Sequence, residues 1–371
     1  MMRRKKIVTA AAAAGILMAV ICADCSPGGR AETGRTAAGQ TAAGQTMAGQ
    51  TTAGQTASDE DPEAAPESWS SKKITRSMEL LYADQFSVDY YDGGYPMITI
   101  KDSGRYLVVP EGKSEPSGLP GDVAVIKQPL KNIYLAATSA MDLFCSLDGT
   151  DRITLSGTDA SGWYIEEARS ALEDGRMLYA GKYNAPDYER ILSMSCDLAI
   201  ESTMIYHSPE VKEQLDQLGI PVLVERSSDE SHPLGRMEWL KLYAVLLGRE
   251  EQAERCFDDQ VRQLLPVMNQ ENTGKTAAFF YISSNGYVNV RKSGDYVADM
   301  IALAGGTYVP QGLAGNENAL STMNMQMESF YAAARVADYI IYKRTIDGEQ
   351  DSLDQPLDKS SLMAAIKDVQ E

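Results

Sequence analysis

One stretch of this chain admits little but a helical reading. Residues 236–270 run RMEWLKLYAVLLGREEQAERCFDDQVRQLLPVMNQ, with apolar positions at helical spacing and no cluster of turn formers. Gly248 is the one interruption, and Pro266 marks a place where a helix kinks or ends. Taken as one helix, residues 249–270 span about 33 Å at 1.5 Å per residue, enough to cross a domain. On both sides of this segment, strand-like and helix-like runs alternate. Before it, VAVI from Val123, RITL from Arg152, the DLAI ahead of Glu201 and IPVLVE from Ile220 read as strands, separated by AATSAMDLFCSL, YIEEARSAL and SPEVKEQLDQLG. After it come TAAFFYIS, DYVADMIALAGG, MESFYAAARV and ADYIIYKR. Such alternation argues for parallel sheets with flanking helices. The expected fold is therefore α/β: two Rossmann-like lobes, residues 74–235 and 271–371, joined by one long helix over 236–270. A ligand crevice should lie between them, where the carboxyl ends of strands meet the loops that follow.

The first lobe opens differently. FSVDYYDGGYPMITIKDSGRYLVVP, residues 86–110, is a run of short apolar alternations broken by Asp92-Gly93-Gly94 and Asp102-Ser103-Gly104, which are hairpin turn signals and predict a β-meander. Ahead of it, Arg3, Arg4, Lys5 and Lys6 precede an apolar run from Ile7 to Ala23, the order of an export signal over residues 1–25. The pentapeptide TAAGQ then recurs four times with minor variation over residues 36–55, followed by SDEDPEAAPES. No core can be built from residues 26–73. As a flexible tether of ~40 residues it would span roughly 35 Å, enough to lift a domain off a membrane.

Composition removes several functions. Asp plus Glu outnumber Lys plus Arg by 52 to 34, a formal charge of -18, so nothing offsets phosphate repulsion and a nucleic-acid partner is not expected. The two histidines, His207 and His232, lie apart in the chain, and Cys145, Cys196 and Cys256 show no metal-ligand spacing. Those three cysteines read as small hydrophobes rather than a disulfide framework. His232, before a proline in ESHPLGR, reads as a structural loop histidine before it reads as a metal ligand. The sequence holds no G-x-S-x-G, H-E-x-x-H or P-loop motif, so neither an enzyme nor a bound cofactor is expected.

Several segments, in order, resemble the periplasmic-binding-protein family that serves siderophore, haem and vitamin B12 importers: NAPDYERILSMSCDLAI, LGIPVLVE, EWLKLYAVLLGREEQAE, RKSGDYVADMIALAGG and MNMQMESFYAAARVADYIIY. Ser195-Cys196 departs from the residue-then-proline usual ahead of the family's strand. The chain's end, IKDVQE, is similar to a segment that in the family leads into a last strand and helix, so the second lobe is expected to be incomplete here. What the resemblance implies is a monomeric binding protein that captures an iron–siderophore, haem or corrinoid complex and hands it to an ABC permease and its ATPase. Cys25, with Cys22 as the alternative, resembles the lipidated cysteine of bacterial lipoproteins, which would anchor the protein to the outer face of the cytoplasmic membrane. Family members dock through one exposed glutamate on each lobe, and Glu189 and Glu328 occupy those positions. Each also lies near a helix start, where a carboxylate is favoured anyway.

Tyrosines outnumber phenylalanines 19 to 6, rings with a polar handle that suit a large, partly apolar metal complex. Residues placed at strand ends or in loops are the candidate ligand contacts: Trp163, Tyr183, Ser202 and Thr203 in the first lobe, and Tyr281, Asn285 and Tyr287 in the second. Arg236, Arg291 and Arg344 are candidate guanidinium partners for an anionic siderophore. Two readings of other kinds stay open at this point, an extracellular α/β enzyme such as a chelatase or cell-wall hydrolase, and a ligand-binding sensor.

Overall fold

The computed structural model describes residues 5–9, 68–283, 287–313, 322–342 and 369–370. Cys22, Cys25, the TAAGQ repeat, Asn285 and Arg344 lie outside them.

The meander forms as expected. Strands β1 (Ile74–Ser77), β2 (Phe86–Tyr91), β3 (Tyr95–Ile100) and β4 (Gly104–Val109) pair antiparallel in sequence order, and β5 (Val123–Lys127) adds parallel to β4. Gly93 and Gly94, at φ 81° and 77°, take the two left-handed positions that a tight hairpin turn needs. Along β4, Tyr106 and Val108 face the main core, while Leu107 and Val109 face a smaller cluster with Tyr95 and Met97. The VAVI run, expected among the parallel strands of the lobe, therefore belongs to the meander's sheet.

A second, five-stranded sheet is wholly parallel: β6 (Ile133–Leu135), β7 (Ile153–Ser156), β8 (Leu178–Tyr179), β11 (Leu198–Ser202) and β12 (Val222–Glu225), ordered β12-β11-β6-β7-β8. A short hairpin, β9 (Gly181–Lys182) with β10 (Ala185–Pro186), intervenes. Both faces of the sheet are buried: along β11, Leu198 and Ile200 join one cluster and Ala199 the other, which is why DLAI reads as a continuous apolar run. Helices α1 (Met141–Ser146), α2 (Glu166–Glu173), α3 (Tyr188–Ser193) and α4 (Pro209–Gln217) connect these strands.

The long helical segment divides in two. Helix α5 (Pro233–Leu247) ends at Gly248, whose φ of 67° is the left-handed helix stop, and α6 (Glu250–Met268) starts afresh, with Pro266 in its last turn. The single helix expected over 236–270 is corrected accordingly. The two differ in character. α5 buries residues on all sides, Trp239, Leu242 and Tyr243 among them, and is an interior helix of the first core; α6 buries only Ala253, Cys256, Phe257 and Gln260, one face at helical spacing. Two buried carboxylates fasten the approach to the meander onto α5. Glu238 accepts backbone N–H bonds from Leu81, Tyr82 and Ala83 at 2.8–3.1 Å and an ion pair from Lys241 at 3.1 Å, while Glu230 accepts from Asp84, Gln85 and the Trp239 indole.

Beyond α6 lies a third, mixed sheet centred on β13 (Lys275–Ile282), which pairs parallel with β15 (Gly306–Val309) and β17 (Tyr339–Tyr342) and antiparallel with β14 (Val288–Arg291); β16 (Thr322–Met325) pairs with β14. Lys5–Thr9 runs parallel beside β17, and Val369–Gln370 beside Lys5–Thr9. Helices α7 (Tyr296–Leu303) and α8 (Met327–Ala334) cover this sheet, and its core centres on Phe280, whose ring lies 4.4 Å from that of Phe330 and 5.3 Å from that of Tyr342. Cys145, Cys196 and Cys256 are free thiols, as read from their spacing, and burial pushes Cys145 up to about 12 and Cys196 to about 11. Among the described residues no helix is long and apolar enough to cross a membrane.

Candidate ligand crevice

In an open α/β sheet the binding edge lies outside the carboxyl ends of the strands. At that edge of the parallel sheet, Gly157 follows β7 so closely against Ala136, after β6, that a Cβ there would stand 2.8 Å from the Ala136 Cα. The loop from Gly157 then turns on Asp159, whose carboxylate accepts from the Ser161 hydroxyl and the Gly162 N–H. Trp163 does not face the crevice. Its indole is 6% exposed within the core, and its N–H is shared between the Ser156 Oγ at 3.1 Å and the Thr158 carbonyl at 3.2 Å. A ring with its faces packed and its donor satisfied has nothing to offer a ligand, so this expectation is corrected. The next residue, Tyr164, is 87% exposed at the same loop. Trp163-Tyr164-Ile165 alternates in and out, and a strand-like alternation carried through the loop would have found it.

Tyr183 is half-buried in the turn of the β9–β10 hairpin. Ser202 and Thr203 end β11, half-buried, with the Ser202 Oγ accepting from the Met204 N–H. Sequence reading stopped there, yet the following Met204 and Tyr206 are each 46% exposed. In the second lobe Tyr281 is half-buried near the end of β13, and Tyr287 is exposed just before β14.

The arginines do something other than expected. The Arg236 guanidinium lies 4.1 Å from the centre of the Tyr296 ring, and that of Arg291 lies 5.7 Å from the same ring while Nη1 donates to Asp295 at 3.0 Å. The first turn of α5 is thereby joined to the first turn of α7, an attraction worth roughly 1 kcal/mol for each well-placed cation. Both arginines are engaged inside the protein, and their reading as siderophore contacts is corrected. His232 adjoins them. Its Nδ1 accepts the Leu234 N–H as the cap of α5, which leaves the proton on Nε2, 3.7 Å from Asp299 Oδ2 on α7. Its ring stacks on Tyr82 at 4.6 Å, and burial holds its pKa below the ordinary value against the opposing pull of Asp299. A polar cavity of about 670 Å³ opens beside this junction, lined by His232, Asn272, Asp295, Asp299 and Tyr308 among others.

Glu189 and Glu328 are exposed in the first turns of α3 and α8. Neither caps its helix. Asp187 is the cap of α3, accepting from the Arg190 N–H at 3.0 Å, and the α8 cap position, Gln326, makes no side-chain cap bond.

Three sheets, of which two belong to α/β lobes with strand ends free to meet a ligand, define a two-lobed binding-protein fold. The structural neighbours are periplasmic binding proteins of the importer type. The haem-binding protein HutB of Vibrio cholerae superposes with a TM-score of 0.51 at 18% identity, covering 63% of this chain and 84% of its own. The triscatecholate siderophore-binding protein FeuA of Bacillus subtilis gives 0.49 at 17% identity, covering 66% and 84%. In sequence, the uncharacterized lipoprotein MJ0878 of Methanocaldococcus jannaschii is 23% identical over 282 residues, 72% of this chain and 67% of that protein. No family model matches the chain.

Proposed function

We propose that this protein is an exported solute-binding lipoprotein that captures an iron–siderophore, haem or corrinoid complex and delivers it to an ABC permease. The observation that carries the reading is the set of exposed or half-exposed Tyr164, Tyr183, Met204 and Tyr206 side chains at the carboxyl ends of the parallel strands. Aromatic rings and a thioether supply broad stacking area with few fixed charges, which suits a large metal complex. The similarity to periplasmic binding proteins and to a lipoprotein supports the same role. Residues 74–235 and 271–371 are its two lobes, Ser202, Thr203, Tyr281 and Tyr287 stand at the crevice with those rings, and Cys25 or Cys22 carries the lipid. Asn285 and Arg344 complete the ligand contacts from the second lobe.

Titrating the intrinsic tryptophan fluorescence with ferric siderophores, haem and cobalamin tests this. One class is expected to quench at submicromolar concentration, because Trp163 lies directly beneath the loop that bears Tyr164. Absence of a response to all three, confirmed by calorimetry, would overturn the assignment.

A further inference from the structure

We infer that the meander turn at residues 101–103 forms one wall of the ligand crevice and sorts ligands by charge; this rests on the solute-binding reading above. The turn belongs to a different sheet from the strands that define the crevice, yet it is held at their carboxyl ends. Arg226, the residue directly after β12, donates from Nη1 to the Lys101 carbonyl at 2.9 Å and lies 3.1 Å from the Asp102 carboxylate. Its Nε donates to Asp229 at 2.7 Å. Tyr206, beyond β11, places its hydroxyl 3.0 Å from the Ser103 Oγ and donates to the Asp102 carbonyl at 3.4 Å. Farther along β4, the Tyr106 hydroxyl donates to the Val222 carbonyl at 3.1 Å and accepts from the Val224 N–H at 3.3 Å, fastening the meander to the edge strand of the parallel sheet. The turn is thus tied to two neighbouring strand ends.

Charge follows from the same contacts. One guanidinium, Arg226, faces two carboxylates, Asp102 and Asp229, which leaves a net negative charge. Arg226 is only 19% exposed while the Asp102 side chain is 75% exposed, so the surface presented outward is the carboxylate. Asp102 sits at φ 55°, a left-handed position that short polar residues tolerate. A complex resting on Met204 and Tyr206 would lie beside that carboxylate. It would favour a neutral or cationic chelate and repel one bearing several catecholate or carboxylate charges.

Asp102→Asn removes the charge and keeps a residue suited to the left-handed turn. Four probes serve: a cationic ferric trihydroxamate, cyanocobalamin, haem and an anionic ferric tris-catecholate. Relative to the wild type, the variant is expected to shift the ratio of anionic to cationic or neutral affinity toward the anion by about tenfold. In the wild type, bound probe should protect residues 101–103 from amide exchange. Arg226→Ala should raise exchange at the same residues before any probe is added. A probe that binds both proteins with a ratio unchanged within about twofold, leaving the turn unprotected, overturns the wall while sparing the solute-binding reading. Unaltered exchange in Arg226→Ala overturns the tether on which the wall depends. If none of the four probes binds the wild type, the solute-binding reading falls and the wall with it.

Discussion

Between pH 4.5 and 8 the protein is expected to lose stability steadily, and Glu201→Gln to flatten that loss. Glu201 lies on β11, opposite Val224 of β12, among Tyr134, Ala199 and Ile205; it is 0% exposed and neither carboxylate oxygen has a hydrogen-bond partner. Removing an ionised carboxylate from water without a partner is costly, so the group holds its proton, and burial pushes its pKa from 4.5 up to about 8. The folded chain then binds a proton that the unfolded chain gives up above pH 4.5. The stabilisation is complete below pH 4.5, is withdrawn as pH rises, and is gone above about 8. A shift of this size corresponds to roughly 5 kcal/mol at most. Urea unfolding of both proteins across this range measures it. The wild-type minus variant difference should fall with pH, leaving the glutamine protein the more stable at the alkaline end. Parallel curves would show that Glu201 finds a partner or water in solution.

Reversing charge at both Glu189 and Glu328, each to arginine, is expected to abolish uptake in cells while ligand affinity and thermal stability stay unchanged. Both carboxylates are exposed, one over each of the two α/β sheets, and the caps of their helices are other residues. Loss of a helix cap, at about 1 kcal/mol each, therefore does not follow from these substitutions. What does follow is like-charge repulsion against a basic permease surface, which costs several kcal/mol where the contact is close. Each single reversal should reduce uptake less than the pair. Normal transport by the double variant would end the docking assignment, and a loss of ligand binding would move the two residues into the crevice instead.

Much of the architecture was legible because it is written in periodicity. The face formed by Ala253, Cys256, Phe257 and Gln260 announces α6, and the apolar runs of β11 and β12 announce a sheet buried on both sides. Strand β6 was hidden although it is central, because three residues, Ile133–Leu135, run straight into a helical pattern. β14 and β16 were hidden by polar residues such as Asn289 and Asn324, which face each other in register and break the apolar signal. The site was less legible. Arg236 and Arg291 looked free in sequence because Tyr296, the ring they share, reaches Arg236 only through the packing of α5 on α7. Trp163 and Tyr164 are neighbours whose roles are exchanged by the direction each side chain takes, which composition does not encode.

The break at Gly248 also bears on how the chain comes to be folded. Side chains of the core that encloses α5 lie between Phe86 and Cys256, and those of the core around Phe280 lie between Ala278 and Tyr342. A polypeptide appearing amino end first thus has every apolar partner of the earlier core in hand before the later one begins to emerge. The earlier core can close without waiting, and its exposed apolar surface is short-lived during synthesis or secretion.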